Sequence, residues 1–314
     1  MLSVIKTILV QTDFSTRAQS AAEFAMHIAM KMKADLVLCN AIEIIEKAPM
    51  AEQIAWPIAD HLALKQEGLV GLKALAKHLE MLVPQTGGAA GHRPIVSCIN
   101  DFGNLATVAS KVVKDKAVDL VVMGSHKSTG LARFLFGSHT HDVLDTINCP
   151  VFLVPESLRF KELRTVAYAT DLTFSDFKVI NYLSGIAKPF NAEILVSHIS
   201  PYGLPGIDSS KAIQHSVNEL FDEGHPKVLY ASIRGENIPK RLLEISGSGK
   251  ADVLALVHKR YGFFEGLFHS SVSKQMANSA KIPLLILPYS FSVDVADISN
   301  QQLDYFCYEP DNSR

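Results

Sequence analysis

The chain contains itself twice, and that repetition limits what it can fold into. TILVQTD, Thr7 to Asp13, returns as TVAYATD, Thr165 to Asp171. The two aspartates lie 158 residues apart, and the next apolar runs, Ala34 to Ala41 and Ala192 to Ile199, start at the same spacing. Further along, AVDLVVMGSHK from Ala117 resembles ADVLALVHKR from Ala251, and CPVFLVP from Cys149 resembles IPLLILP from Ile282. Pro150 and Pro283 in that last pair are 133 residues apart, so the second copy is 25 residues shorter. The loss falls between its second and fourth apolar runs. Self-similarity at a fixed offset means two copies of one structural unit. The 314 residues suffice for two domains of ordinary size. The expected bounds are 1–157 and 158–290, joined near residues 156–163, with a C-terminal tail over 291–314. In the tail, Tyr305 to Tyr308 is a compact apolar cluster, expected to pack onto a domain or a partner.

Within one copy, apolar runs alternate with helical stretches. Ile8 to Val10 is a first strand, ending at Thr12-Asp13. Thr16 to Met32 is expected to be a helix, with Ala21, Ala22, Phe24, Ala25, Ile28 and Ala29 at helical spacing and Ser15 as its N-cap. Leu36 to Cys39 is a second strand. A long helix follows around Pro57 to Leu82, with Leu62, Leu69, Leu72, Leu75, Ala76 and Leu79 on one face. Pro94 to Ile99, Leu120 to Met123 and Val151 to Val154 are further strands. Helices are expected over Asn104 to Lys116 and Gly137 to Ile147. The strands are continuous apolar runs rather than alternating ones, which marks a parallel sheet covered on both faces. Strand–helix alternation makes each copy a doubly wound α/β layer. Ligands in such sheets bind outside the carboxyl ends of the strands. Asp13, Ala41 and Gly124 all follow strands and are expected to gather there.

Composition narrows the function. Lysine plus arginine numbers 30 against 32 aspartates and glutamates, a net charge of −2, which disfavours a general nucleic-acid binder. No apolar run approaches the ~18 residues needed to span a bilayer. The N-terminus lacks a signal-peptide cleavage site and is better taken as a strand. Cys39, Cys98, Cys149 and Cys307 show no C-x-x-C spacing, so no zinc ribbon or redox pair is indicated. The expected compartment is the cytoplasm.

The most informative segment is GSHKSTGLARFLFGSHT, Gly124 to Thr140. It opens after a buried strand and closes at the start of a helix. Gly137 lets backbone approach a ligand closely. Ser138, His139 and Thr140 present first-turn amides that favour phosphate. The segment is neither a P-loop nor a G-x-G-x-x-G. With the opening ILVQTDFS and the closing CPVFLVP, it makes the chain resemble the universal stress protein family, in its tandem two-domain form, over nearly all of residues 4–288. The family's motif is glycine, two residues, glycine, nine residues, then glycine and Ser or Thr. Here it runs Gly124, Ser125-His126, Lys127, nine residues, Gly137-Ser138, with Lys127 in place of the second glycine.

The resemblance implies a five-stranded parallel α/β sandwich of strand order 3-2-1-4-5, and pairing of the two domains through their last strands. It implies that Asp13 accepts hydrogen bonds from an adenine base and that Ala41 stands beside it. Met123 and Gly124 would line base and ribose, Lys127 would reach or obstruct the phosphates, and Gly137, Ser138, His139 and Thr140 would cradle them. ATP or a related adenine nucleotide is the implied ligand, with magnesium or manganese bridging its phosphates.

The second copy departs further. Val257 replaces the first glycine, Arg260 the second and Ser270 the third, while Asp171 and Ser271 remain. A β-branched valine cannot stand in for a glycine where backbone must come close. This copy is expected to be silent and to pack against the first. His139-x-His141 does not present two ligands on one helix face, so no protein-only metal site is expected. No nucleophile elbow is present, and any ATP hydrolysis is expected to be slow. The leading expectation is a stress-response protein whose first domain binds adenine nucleotide as a ligand-responsive module. Two alternatives stay open: an interaction scaffold binding an unidentified protein partner without nucleotide, and a slow hydrolase or phosphotransferase acting on a small phosphorylated metabolite. Whether such chains form homodimers is also open.

Overall fold

The computed structural model describes residues 5–43, 58–84, 92–125, 137–156, 162–170, 176–200, 225–234, 249–258 and 282–288, with the isolated positions 158, 160, 241, 242, 244, 245 and 290. The tail cluster lies outside the described residues.

In the first half, strands β1 (Thr7–Gln11), β2 (Asp35–Ile42), β3 (Val96–Phe102), β4 (Leu120–Ser125) and β5 (Val151–Pro155) alternate with helices α1 (Thr16–Met32), α2 (Ile58–Met81), α3 (Leu105–Asp115) and α4 (Gly137–Thr146). The second half supplies β6 (Thr165–Thr170), α5 (Asp176–Ala187), a 3-10 turn at Lys188–Phe190, β7 (Glu193–Ser200), β8 (Val228–Arg234), β9 (Val253–His258) and β10 (Leu284–Pro288). The strands form one ten-stranded sheet in the order β3-β2-β1-β4-β5-β10-β9-β6-β7-β8. Each half has the order 3-2-1-4-5, and all pairing within a half is parallel. The two last strands, β5 and β10, meet antiparallel, with Leu153 opposite Leu284 and Val151 opposite Ile286.

The unbroken apolar strands follow from burial on both faces. Ile8 and Val10 pack into a core with Phe24 and Ile28 of α1 and Leu72 and Leu79 of α2. Leu9 points the other way, among Val108 and Val112 of α3 and Val143 of α4. Helix α1 has the expected bounds. The Ser15 hydroxyl accepts from the Ala18 amide at 3.3 Å, and Lys33 closes the helix in the left-handed conformation. Helix α2 departs from expectation at one end: Leu72 and Leu79 are buried but Leu62 is 64% exposed. The neighbouring His61 meets the Phe102 ring of β3 at a centroid distance of 5.2 Å, and at 3.6 residues per turn Leu62 lies about 80° round the helix from Leu72, off the buried face.

The repeat is visible in single hydrogen bonds. Asp119 accepts the amides of Lys6 and Thr7 at 2.8 and 3.1 Å, tying the start of β4 to the start of β1. Asp252 accepts the amides of Arg164 and Thr165 at 2.8 and 2.9 Å and ties β9 to β6 in the same way. Asn191 ends the 3-10 turn in the left-handed conformation where Lys33 ends α1.

The polar stretch joining the halves is packed down. Thr16 and Ser20 of α1 donate to the Glu156 carboxylate and carbonyl. Phe160 stands edge-on to both Phe24 and Phe190, at centroid distances of 5.1 and 6.4 Å.

Candidate functional site

Strand registers place the expected residues. Val10 is level with Leu38 and Val122, and Gln11 with Cys39. Continuing those registers, Gly124 is level with Thr12, and Ala41 with Asp13. Strand order reverses between β1 and β4, so Asp13 and Gly124 flank the crevice where open α/β sheets take ligands. Helix α4, beginning at Gly137, covers the face that carries Leu9, Cys39 and Met123.

Asp13 is locked into the turn that starts α1. One carboxylate oxygen accepts from the Ser15 amide at 3.1 Å and from the Ser15 hydroxyl, and the other accepts from the Arg17 guanidinium. Burial works against the charge, but the Ser15 and Arg17 hydrogen bonds together hold the carboxyl below the usual aspartate value. It is therefore an ionised acceptor at neutral pH. Lone pairs beyond those three bonds remain for a ligand.

Phe14 sits beside it in the left-handed region at φ 62°, which is uncommon for a bulky residue. Its ring lies against α2 at Gly71, where any Cβ would come within 2.8 Å of the ring. Backbone strain of this kind concentrates at functional sites. The Thr12 hydroxyl accepts the Phe14 amide at 3.0 Å and steadies the turn.

Gly124 has a second reason to be glycine. A Cβ there would lie 2.8 Å from the Arg17 carbonyl oxygen, which belongs to the backbone of the first turn of α1. The gap left by the missing side chain is filled by that helix. Met123 and Thr140 are buried, at 5% and 6% exposure, and Ala41 packs against the α3–α4 core. Gly137, Ser138 and His139 open α4. Lys127 lies outside the described residues, as do Asp171, Arg260, Ser270 and Ser271.

Gln11 was not singled out by sequence reasoning. This last residue of β1 is 4% exposed, and neither its amide nitrogen nor its amide oxygen has a hydrogen-bond partner of ordinary geometry. Its polar neighbour is the Cys39 thiol, whose pKa burial pushes up to about 12 while the amide acts in the opposite direction. A thiol is a weak partner for an amide. Gln11 shares the face of Leu9, beneath α3 and α4, one step inside the crevice. A continuous apolar run ending in glutamine carries no signal that singles it out.

In the second half, Val257 is buried at the end of β9. The next residue, His258, brings its Nε2 to 3.1 Å from an Asp145 carboxylate oxygen on α4 of the first half. That strand end is engaged with the neighbouring half.

Residues 5–155 match the family model of the universal stress proteins. The first half of the chain is thus a universal stress protein domain. A universal stress protein of Methanocaldococcus jannaschii is 28% identical over 152 residues, spanning 48% of this chain and 83% of that protein. A universal stress protein of Archaeoglobus fulgidus superposes on 90% of this chain and 96% of its own, with a TM-score of 0.66 at 15% identity. A putative universal stress protein of Pseudomonas aeruginosa covers 90% and 93% at a TM-score of 0.51 and 14% identity. At those identities the two structures establish a shared universal-stress-protein fold across both halves.

Proposed function

We propose that the first half, residues 1–157, binds an adenine nucleotide such as ATP at the carboxyl ends of β1, β2 and β4, as a ligand-responsive stress-response module. The observation that carries the reading is Gln11. A buried amide with only a thiol beside it is costly, and a ligand with a matching donor and acceptor relieves the penalty. Adenine offers that pair in its N6 amino group and N7, the edge that a glutamine amide reads bidentately. Asp13, ionised and fixed by Ser15 and Arg17, adds a second acceptor for the base, beside Ala41, Met123 and Gly124. Gly137, Ser138, His139 and Thr140, at the start of α4, supply amides for the phosphates, with Lys127 on the connection before them. A magnesium or manganese ion accompanies those phosphates when ATP is bound. The second half, residues 158–290, acts as a partner layer, since Val257 fills the place of Gly124. The free thiols Cys39, Cys98 and Cys149 suit a reducing cytoplasm.

Calorimetric titration of the full chain with ATP and magnesium tests the reading, after denaturation of a sample to release any co-purified nucleotide. One site per chain is expected, weakened about tenfold by Gln11→Leu through loss of its hydrogen bonds and abolished by Gly137→Val. Absence of both binding and co-purified nucleotide would overturn it in favour of an interaction scaffold. Metal-dependent turnover of a phosphorylated metabolite would favour a transferase or hydrolase.

A further inference from the structure

The second half carries a groove of about 800 Å³ at the opposite edge of its sheet, where strands begin rather than end. Arg164 and Thr165 open β6 there, Glu193 opens β7, and His225, Pro226 and Lys227 lead into β8, with Lys188 from the 3-10 turn closing one side. The size lies within the ~300–1,000 Å³ typical of small-molecule sites.

Among the described lining residues, the cations Arg164, Lys188 and Lys227 stand with one carboxylate, Glu193, which lies 3.8 Å from the Lys227 ammonium. The Arg164 Nε donates to Glu162 at 2.9 Å, one of the five N–H donors of a guanidinium. Arg164 keeps guanidinium donors beyond that bond, Lys227 keeps ammonium donors beyond Glu193, and Lys188 adds a third cation to the lining. The position of Arg164 is fixed by the bonds from its own amide and that of Thr165 to Asp252.

The first half is a built-in comparison. Its matching edge has cations of its own, Lys6, Lys33 and Arg93, and there the His92 ring is tied to the start of β2. His92 Nε2 lies 3.2 Å from the Ala34 carbonyl oxygen and 3.3 Å from the Asp35 carboxylate. Met30 and Ile95 of the first half are replaced in the second by Lys188 and Lys227. The shared fold does not need these two lysines, since the first copy carries Met30 and Ile95 in their places.

We propose that this groove is a second ligand site, for a small molecule bearing a phosphate or pyrophosphate group, on the edge of the second half remote from its strand ends. Arg164 supplies a planar fork for phosphate oxygens, and Lys188 and Lys227 act as point charges on either side. The site is independent of any nucleotide bound in the first half.

Titration of the full chain with sodium pyrophosphate at physiological salt, followed through backbone amide resonances, tests the assignment. Saturable shifts are expected at Lys188, Ala192, Glu193 and Lys227. The double variant Lys188→Met with Lys227→Ile restores the residues of the first half at two exposed positions and should weaken binding at least tenfold, with an unchanged melting temperature. Lys6→Ala, on the matching edge of the first half, should leave it unaltered. Non-saturating shifts, or equal affinity in the double variant, would reduce the groove to diffuse surface charge and overturn the proposal. Shifts confined to β1 and α4 would place the anion in the first-half crevice and overturn it as well.

Discussion

At the scale of single residues, two positions near the crevice carry more than one demand. Gly124 is a glycine in the family motif, yet the backbone of α1 occupies the space beside it. Gly124→Ala would drive a Cβ against the Arg17 carbonyl oxygen, which cannot swing away as a side chain tip would. The expected loss is about 1–3 kcal/mol, as for other overpacked sites, read as a lowered melting temperature. An unchanged melt would mean that α1 shifts without resistance and would remove this account of the glycine. Asp13 makes a pH prediction with a definite sign. Its carboxyl is held below the ordinary aspartate value in the folded chain, so the unfolded chain binds the proton first as pH falls. The stabilisation is fully present above the unfolded pKa and disappears as pH drops through the folded one. The side chain is about half exposed, so solvent screening keeps the contribution below about 1 kcal/mol. Asp13→Asn should flatten the acid limb of stability measured by urea unfolding between neutral pH and pH 3. Glu23 is lowered too, burial opposing and the His78 and Gln19 bonds prevailing, so the limb should not vanish.

At the scale of elements, the repeat shows which local devices both copies retain. Asp119 and Asp252 each accept two backbone amides at the start of the neighbouring strand. These are charge-assisted bonds to groups that cannot find another partner within the sheet, each pair worth about 1–3 kcal/mol. Asp119→Ala and Asp252→Ala should destabilise by similar amounts in chemical denaturation, and a loss confined to one variant would show that the copies do not share this clamp. Helix α1 was legible because Ser15, the alanine spacing and the break at Lys33 all agree. Helix α2 was legible in position but not in face. Leu62 was expected on the face of Leu72 and Leu79, whereas the face that meets the sheet runs through His61, Leu72 and Leu79 and leaves Leu62 in water.

At the scale of the whole molecule, the antiparallel meeting of β5 and β10 turns two five-stranded layers into one sheet. One core cluster runs from Ile8 and Phe24 through Phe152 to Tyr168, Tyr182 and Leu285, drawing on both halves. Tyr182 takes in the second half the place that Phe24 takes in the first. It is buried, its pKa is raised well above the usual phenol value by that burial, and its hydroxyl reaches the Asp119 carbonyl at 3.5 Å. The halves should therefore unfold together. Differential scanning calorimetry is expected to show a single transition, and two resolved transitions would show that the seam does not couple them.

The amino-acid sequence by itself determined the duplication, the strand–helix alternation and the strand ends at which Asp13, Ala41 and Gly124 sit. These depend on local periodicity and on the 158-residue spacing, and both survive being read in one dimension. Tertiary structure alone decided the rest. Gln11 became a candidate binding group because tertiary packing buries its amide beside the Cys39 thiol, a weak partner. Gly124 became a packing residue because α1 crosses its strand end. The cationic groove appeared because β6, β7 and β8 bring together side chains that lie up to 63 residues apart, from Arg164 to Lys227. Burial, close approach and summed charge are properties of surfaces assembled from distant segments, and a single sequence does not say which segments those are.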